Sequence, residues 1–221
     1  MPHRFDRIAA SKPLVFALAL VPLAWLVWDA LHGTLGTDPV AQLEHRSGDW
    51  TLRILLATLA ITPLRLVTKQ NWLVRYRRML GLFAFFYASV HLSIYLVIDL
   101  GGYWSQILGE IVKKPYITVG FAAWLMMIPL AITSTKGMIR RLGRNWQRLH
   151  RLVYLIGICG VLHFMWLVKS GNKIAVTEPL IYLAILIVLF ALRLPTWVRL
   201  LSGAKKAPSL PRPRVRGALG P

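Results

Sequence analysis

Six histidines stand in the 221-residue chain, and they fall into two groups. His3 lies in the N-terminal tail, and His32 and His45 lie in the polar stretch 32–50, where they read as solvent-facing or interfacial side chains. His91, His150 and His163 instead lie within or at the edge of long apolar runs. An ionisable group in hydrocarbon is costly without a partner, which makes each a functional candidate. The runs that carry His91 and His163 begin at Met79 and Leu149. Counted from there at about 1.5 Å per residue, the two histidines lie at depths of about 18 and 21 Å. The two runs point the same way, so both imidazoles reach one level. Paired imidazoles at one level in a bundle are suited to hold heme iron at its two axial positions. Ala84 and Ala88 beside His91, and Cys159 and Gly160 one turn before His163, leave room for a flat macrocycle. The same small residues also serve ordinary close packing of membrane helices.

His150 stands well before His163 in the same run, and the position at the same interval before His91 is Arg78, not a normal heme ligand. On one ideal helix His150 and His163 point about 140° apart. Three roles stay open for His150: a ligand to a second heme with an unusual partner, a hydrogen bond to a quinone oxygen, or a hydrogen bond to a loop. Nearby Arg77, Arg78, Arg148 and Arg151 suit heme propionates or a flavin phosphate, although charge asymmetry across a membrane also accounts for them. Cys159 is the only cysteine, so neither an intrachain disulfide nor a cysteine metal cluster forms. Without C-x-x-C-H any heme is held non-covalently. No GxGxxG and no P-loop supports a Rossmann or ATP-driven reading.

The elements that carry these residues follow from composition. Hydrophobic residues make up 56% of the chain, charged residues 16%, and mean hydropathy is +0.55. Soluble domains lie nearer about 45–50% and about 25%. The net charge of +19 invites a nucleic-acid reading, but the basic residues lie between apolar runs instead of on a soluble face, which excludes it. The chain reads as an all-α integral membrane protein, a six-transmembrane-helix bundle with heme b between helices three and five. The spans are about Pro13–Leu31, Thr51–Val67, Met79–Leu100, Tyr116–Thr135, Leu149–Val168 and Glu178–Leu194. The first run is too long for a cleaved signal peptide and is read as a retained helix.

Of the 27 Lys and Arg, 21 fall in the N-terminus, the second and fourth loops and the segment from Arg193. Only Arg46, Arg53, Lys113, Lys114, Lys169 and Lys173 fall in the other three loops. The positive-inside rule then makes both termini cytoplasmic. Residues 1–12 form a cytoplasmic N-terminus, 13–194 the membrane domain, and 195–221 a basic, Pro- and Gly-rich tail expected to be disordered near anionic headgroups. No solenoid-type repeat is evident.

HLSIY at His91, NWQRLHRLVY (145–154), RRMLGL (77–82) and LRILLATLAITPLR (52–65) resemble the ferric-reductase-like transmembrane domain. Within it the chain is most similar to the heme-binding subunits of the periplasmic protein-methionine-sulfoxide reductase system, the MsrQ (YedZ) family, over about residues 10–200. The resemblance implies a b-type cytochrome of the bacterial inner membrane with one heme or two, ligands at His91, His150 and His163, and FMN as a further cofactor. It implies electrons taken from the quinone pool and delivered to a periplasmic molybdopterin subunit that reduces methionine sulfoxide. The chain itself is then an electron-transfer subunit and not the catalytic one.

Two other readings compete. A ferric reductase or NADPH-oxidase-type enzyme needs a cytoplasmic FAD/NADPH domain, and the roughly 27 residues after Leu194 are too few to fold one, so a separate reductase chain is required. A transporter needs inverted repeats, broken helices and midplane acids, and spans two to six carry no midplane acid. The opposite surface, with Asp38, Glu44, Asp49, Asp99, Glu110, Lys113 and Lys114, shows no group for substrate reduction and reads as a docking face in an electron relay.

Overall fold

The computed structural model describes residues 3–170 and 177–194, and these are all helix, turn or loop with no strand among them. The 195–221 tail lies outside the described residues. The long helices are α1 (His3–Leu31), α2 (Pro39–Thr68), α3 (Val74–Ser93), α5 (Pro115–Ile132) and α8 (Leu152–Ser170). The shorter helices among the described residues are α4 (Trp104–Lys113), α6 (Lys136–Leu142), α7 (Arg144–Leu149) and α9 (Thr177–Ala191). Among the described residues, five stretches are long and apolar enough to cross a membrane, and α9 is a shorter apolar helix. α2 packs along α3 and α5 along α8, and these two pairs enclose the centre of the bundle. Ala84, Tyr87, Phe83, Ile156 and Met127 form the main core there.

Several boundaries differ from the hydropathy reading. α1 begins at His3 instead of Pro13, carrying helix through the expected N-terminal tail. α2 begins at Pro39, not Thr51. Asp38 caps it, accepting the Ala41 N–H at 3.0 Å, and Pro39 suits the first turn because it has no N–H to satisfy. The opening turns of α2, Pro39 to Trp50, are mostly polar, so they carry no apolar signal although they are helical. α3 continues through a π-helical stretch, Ile94–Asp99, and Gly101 and Gly102 at φ 59° and 72° then turn the chain back. The expected outer loop is therefore largely the helix α4. Its Ile107 and Ile111 pack on Ile117, Tyr95 and Tyr116 and close one end of the bundle. The basic loop after α5 is likewise two short helices, α6 and α7, separated by Gly143 at φ 51°.

Beside two of the prolines inside helices, a side chain from elsewhere in the bundle binds the helix backbone. One residue after Pro22 in α1, the Tyr87 hydroxyl donates to Ala19 O at 2.8 Å and accepts the Leu23 N–H at 3.1 Å. In α2, Pro63 has no N–H for the carbonyl four residues back, Leu59 O. Arg193, just after α9, donates to that carbonyl through Nη2 and lays its guanidinium 4.9 Å over the Tyr154 ring of α8. Only 2% of Arg193 is exposed, so it does not belong with the solvated charges of the C-terminal segment. One side chain thus ties α9, α2 and α8 together at the proline. Arg193→Met is expected to cost about 1–3 kcal/mol through the carbonyl left unpaired. Pro63→Ala restores an N–H for Leu59 O, so the same change in that background should cost clearly less, measured by thermal unfolding in detergent as a double-mutant cycle.

Candidate functional site: a paired-imidazole cavity

A cavity of about 370 Å³ lies between the α2–α3 and α5–α8 pairs, beneath α4. That is within the range of small-molecule sites. Its inner part is apolar, with Leu55, Ala88, Met127 and Ile156, and its α4 end is polar, with His45, Tyr95, Asp99 and Lys114. His91 and His163 both line it, their ring centroids 6.2 Å apart and their planes at 76°. The two expected histidines are thus brought together at one cavity, ring edge toward ring face.

Each imidazole is held by a main-chain carbonyl of the neighbouring helix. His91 Nδ1 donates to Glu44 O at 3.1 Å and His163 Nδ1 donates to Tyr116 O at 2.7 Å. These bonds fix the tautomer and leave Nε2 of each ring without a hydrogen-bond partner among the described residues. The acceptor in each case lies four residues before a glycine, and the glycine makes the approach possible. A Cβ on Gly48 would lie 3.2 Å from His91 Cε1, and one on Gly120 would lie 2.7 Å from His163 Nδ1. The imidazole lies against bare backbone and reaches the carbonyl one turn back.

The two halves share one sequence offset. The step from Glu44 to Tyr116 equals that from Gly48 to Gly120 and that from His91 to His163. The cavity-lining pairs Leu55/Met127 and Ala88/Gly160 keep the same step. α2–α3 and α5–α8 are therefore equivalent half-sites, each contributing one imidazole. Sequence reading missed Gly48, Gly120 and the two acceptor carbonyls. The signal available was positional: a glycine at one and the same interval before each of two level histidines.

Among the described residues no group of three or more His, Cys, Asp or Glu could hold a bare metal ion. Two imidazoles suit instead an ion that brings its remaining ligands with it, as heme iron does. Metal–imidazole bonds of about 2 Å on either side of one ion put the two ring centres about 6 Å apart, in agreement with the spacing found. The residues present fit that group. Of the small residues expected to make room, Ala88 and Gly160 do line the cavity, whereas Ala84 is fully buried in the helix core and Cys159 packs against that core.

His150 is not part of this cavity. It follows α7 at the other end of the bundle, its ring stacked on Trp146 at 3.9 Å and its Nδ1 bonded to Trp146 O at 3.1 Å. Its Nε2 is buried and has no partner among the described residues. His45, read from sequence as an interfacial residue, lies at the polar end of the cavity. Outside the spans, Lys114 pairs with Glu110 at 2.8 Å, which holds that carboxyl below its ordinary range and the ammonium above its own. Gly120→Ala forces the His163 ring off its carbonyl and is expected to cost about 1–3 kcal/mol by overpacking. Gly48→Ala meets His91 less closely and should cost less. Thermal unfolding of the two variants side by side measures the difference.

Residues 47–161 match the ferric reductase like transmembrane component family. The chain is 58% identical over 199 residues to the protein-methionine-sulfoxide reductase heme-binding subunit MsrQ of Xanthomonas euvesicatoria pv. vesicatoria, covering 87% of this chain and 88% of the relative. It is 56% identical over 206 residues to the MsrQ of Xanthomonas oryzae pv. oryzae, covering 90% and 92%. The MsrQ of Herminiimonas arsenicoxydans is 48% identical over 188 residues, covering 85% of each. No solved structure matches the chain. With such identity along nearly its whole length, several apolar membrane-length helices and a transmembrane family model over its centre, this multi-pass membrane chain belongs to the MsrQ family of ferric-reductase-like transmembrane proteins.

Proposed function

We propose that the chain is a membrane b-type cytochrome that relays electrons from the quinone pool to a separate, periplasmic molybdopterin-containing methionine sulfoxide reductase subunit. The observation that carries this reading is the His91–His163 pair, 6.2 Å apart, with both Nδ1 atoms bonded to carbonyls and both Nε2 atoms unengaged. A heme bound there supplies reversible one-electron transfer. His91 and His163 hold its iron from the two half-sites, and Leu55, Met127 and Ile156 keep water from its apolar edge. Tyr95, whose buried hydroxyl has no partner among the described residues, and Lys114 stand at the polar end to receive its carboxylates.

The name its relatives carry, heme-binding subunit, supports the cofactor. In this reading α9 is the sixth span, both termini are cytoplasmic in the bacterial inner membrane, and residues 1–12, 13–194 and 195–221 are N-terminus, membrane domain and basic tail. The α4 end is then periplasmic and carries the docking face, with Asp38 and Asp99 exposed there and Glu44 and Asp49 half-buried beside the cavity. His150 serves the opposite end, as ligand to a second heme or in a hydrogen bond with a quinone oxygen, accepting the quinol O–H, supported by its buried, unpartnered Nε2. FMN follows from family resemblance alone.

His91→Ala and His163→Ala should each abolish or strongly alter the low-spin Soret and α bands while membrane insertion is kept. An unchanged spectrum in either refutes the ligand pair. His150→Ala should leave those bands in place and change a second heme signal or quinol oxidation; wild-type spectra and turnover would make it structural. For the relay, heme reduced by a quinol in proteoliposomes should reoxidise on adding methionine sulfoxide only when the molybdoenzyme is present. Equal reoxidation without that enzyme favours a ferric-reductase-type acceptor instead.

A further inference from the structure

The two imidazoles occupy equivalent frames but not equivalent hydrogen bonds. His163 Nδ1 makes a single bond of 2.7 Å to Tyr116 O. His91 Nδ1 lies 3.1 Å from Glu44 O and also 3.1 Å from Ser47 Oγ. The Ser47 hydroxyl itself donates to Glu44 O at 3.0 Å. Glu44 O also takes the helix bond from the Gly48 N–H, so one carbonyl serves three donors. Ser47 is wholly buried, with 0% exposed. The corresponding residue of the other half-site, one before Gly120, is Val119, which has no hydroxyl.

A proton divided between two acceptors, both at 3.1 Å as for His91, is held more weakly than one given to a single acceptor at 2.7 Å as for His163. The strength of that outer hydrogen bond sets how basic the opposite ring nitrogen is toward a metal. An imidazole whose Nδ1 proton is less drawn away donates less electron density and favours the reduced ion. These observations apply whatever occupies the cavity, because they concern the protein's own side chains.

We propose that Ser47 is a positioning residue that makes the paired imidazoles unequal ligands, weakening donation from His91 relative to His163 and raising the reduction potential of the centre between them. The inference rests on the heme reading above, and deepens it. α2 supplies the whole device: the acceptor carbonyl at Glu44, the competing hydroxyl at Ser47 and the bare backbone at Gly48. The other half-site keeps the acceptor carbonyl and the bare backbone without the hydroxyl, and so provides an internal comparison.

The test is the midpoint potential of the purified, heme-loaded full chain in three forms. Ser47→Val gives His91 the frame of His163, and the potential should fall while the low-spin spectrum is kept. Val119→Ser places the same hydroxyl beside His163, and the potential should rise. Potentials that stay at the wild-type value, or that move in the same direction in both variants, overturn the proposal. If Val119→Ser fails to fold, Ser47→Ala decides with a second readout, the ¹H–¹⁵N shift of the His91 Nδ1–H in heme-free protein. It should move downfield toward that of His163, and an unmoved resonance overturns the proposal. A wild-type chain that shows no low-spin heme spectrum refutes the heme reading itself, and the imidazole resonance still decides the role of Ser47.

Discussion

An imidazole buried among helices has one N–H that must be given to something, and in both halves of this bundle it is given to a helix carbonyl. The rest of the site follows from that requirement. In both half-sites the ring reaches that carbonyl across a position one turn on that has no side chain, Gly48 and Gly120. Bare backbone at those points lets α3 and α8 bring His91 and His163 close against α2 and α5. The rings are then held in one tautomer, and their remaining nitrogens lie toward the space between the pairs. The two rings line a cavity between the four helices, each tied sideways to the carbonyl beside it.

The same rule, that a polar atom in an apolar interior must find an internal partner, governs the other end. Pro63 frees Leu59 O in α2, and Arg193 from beyond α9 answers it. Near Pro22 of α1, Tyr87 joins Ala19 O and Leu23 N. Pro63 is a gap in a hydrogen-bond ladder, and that gap is used to fasten a second element. Pro63 and the turn beside Pro22 are thus attachment points of the bundle. They do not mark the broken helices around a midplane site that a transporter would show.

The differences between hydropathy and structure have one cause. Hydropathy averages over residues, so it finds apolar helices and overlooks polar ones. The first turns of α2, the amphipathic α4 and the basic α6 and α7 are helical but not apolar. A closer local reading could have found the start of α2, because Asp38-Pro39 is a cap followed by a first-turn proline. The half-site correspondence was hidden for a different reason. Most of its paired positions differ in identity, as in Glu44/Tyr116 or Leu55/Met127, and of the site's own pairs only Gly48/Gly120 and His91/His163 agree. What the two halves share is a geometric role.

The sequence by itself determined that the chain is helical and lies in a membrane, because long apolar runs without alternation admit no other solution. It also determined that His91 and His163 lie at one level, because depth along a helix is a matter of counting residues. It did not determine which way those rings face, because rotation of one helix against another is set by contacts between segments far apart in the chain. Only the tertiary structure placed the rings 6.2 Å apart. Only there did Gly48 and Gly120 acquire a purpose, Ser47 separate one imidazole from the other, and Arg193 leave the solvated charges for the bundle interior. His150 shows the limit from the other side: counting set it several turns from His163, and packing put it against Trp146, away from the cavity. Partners across the bundle are chosen by packing, and packing is a property of all the helices at once.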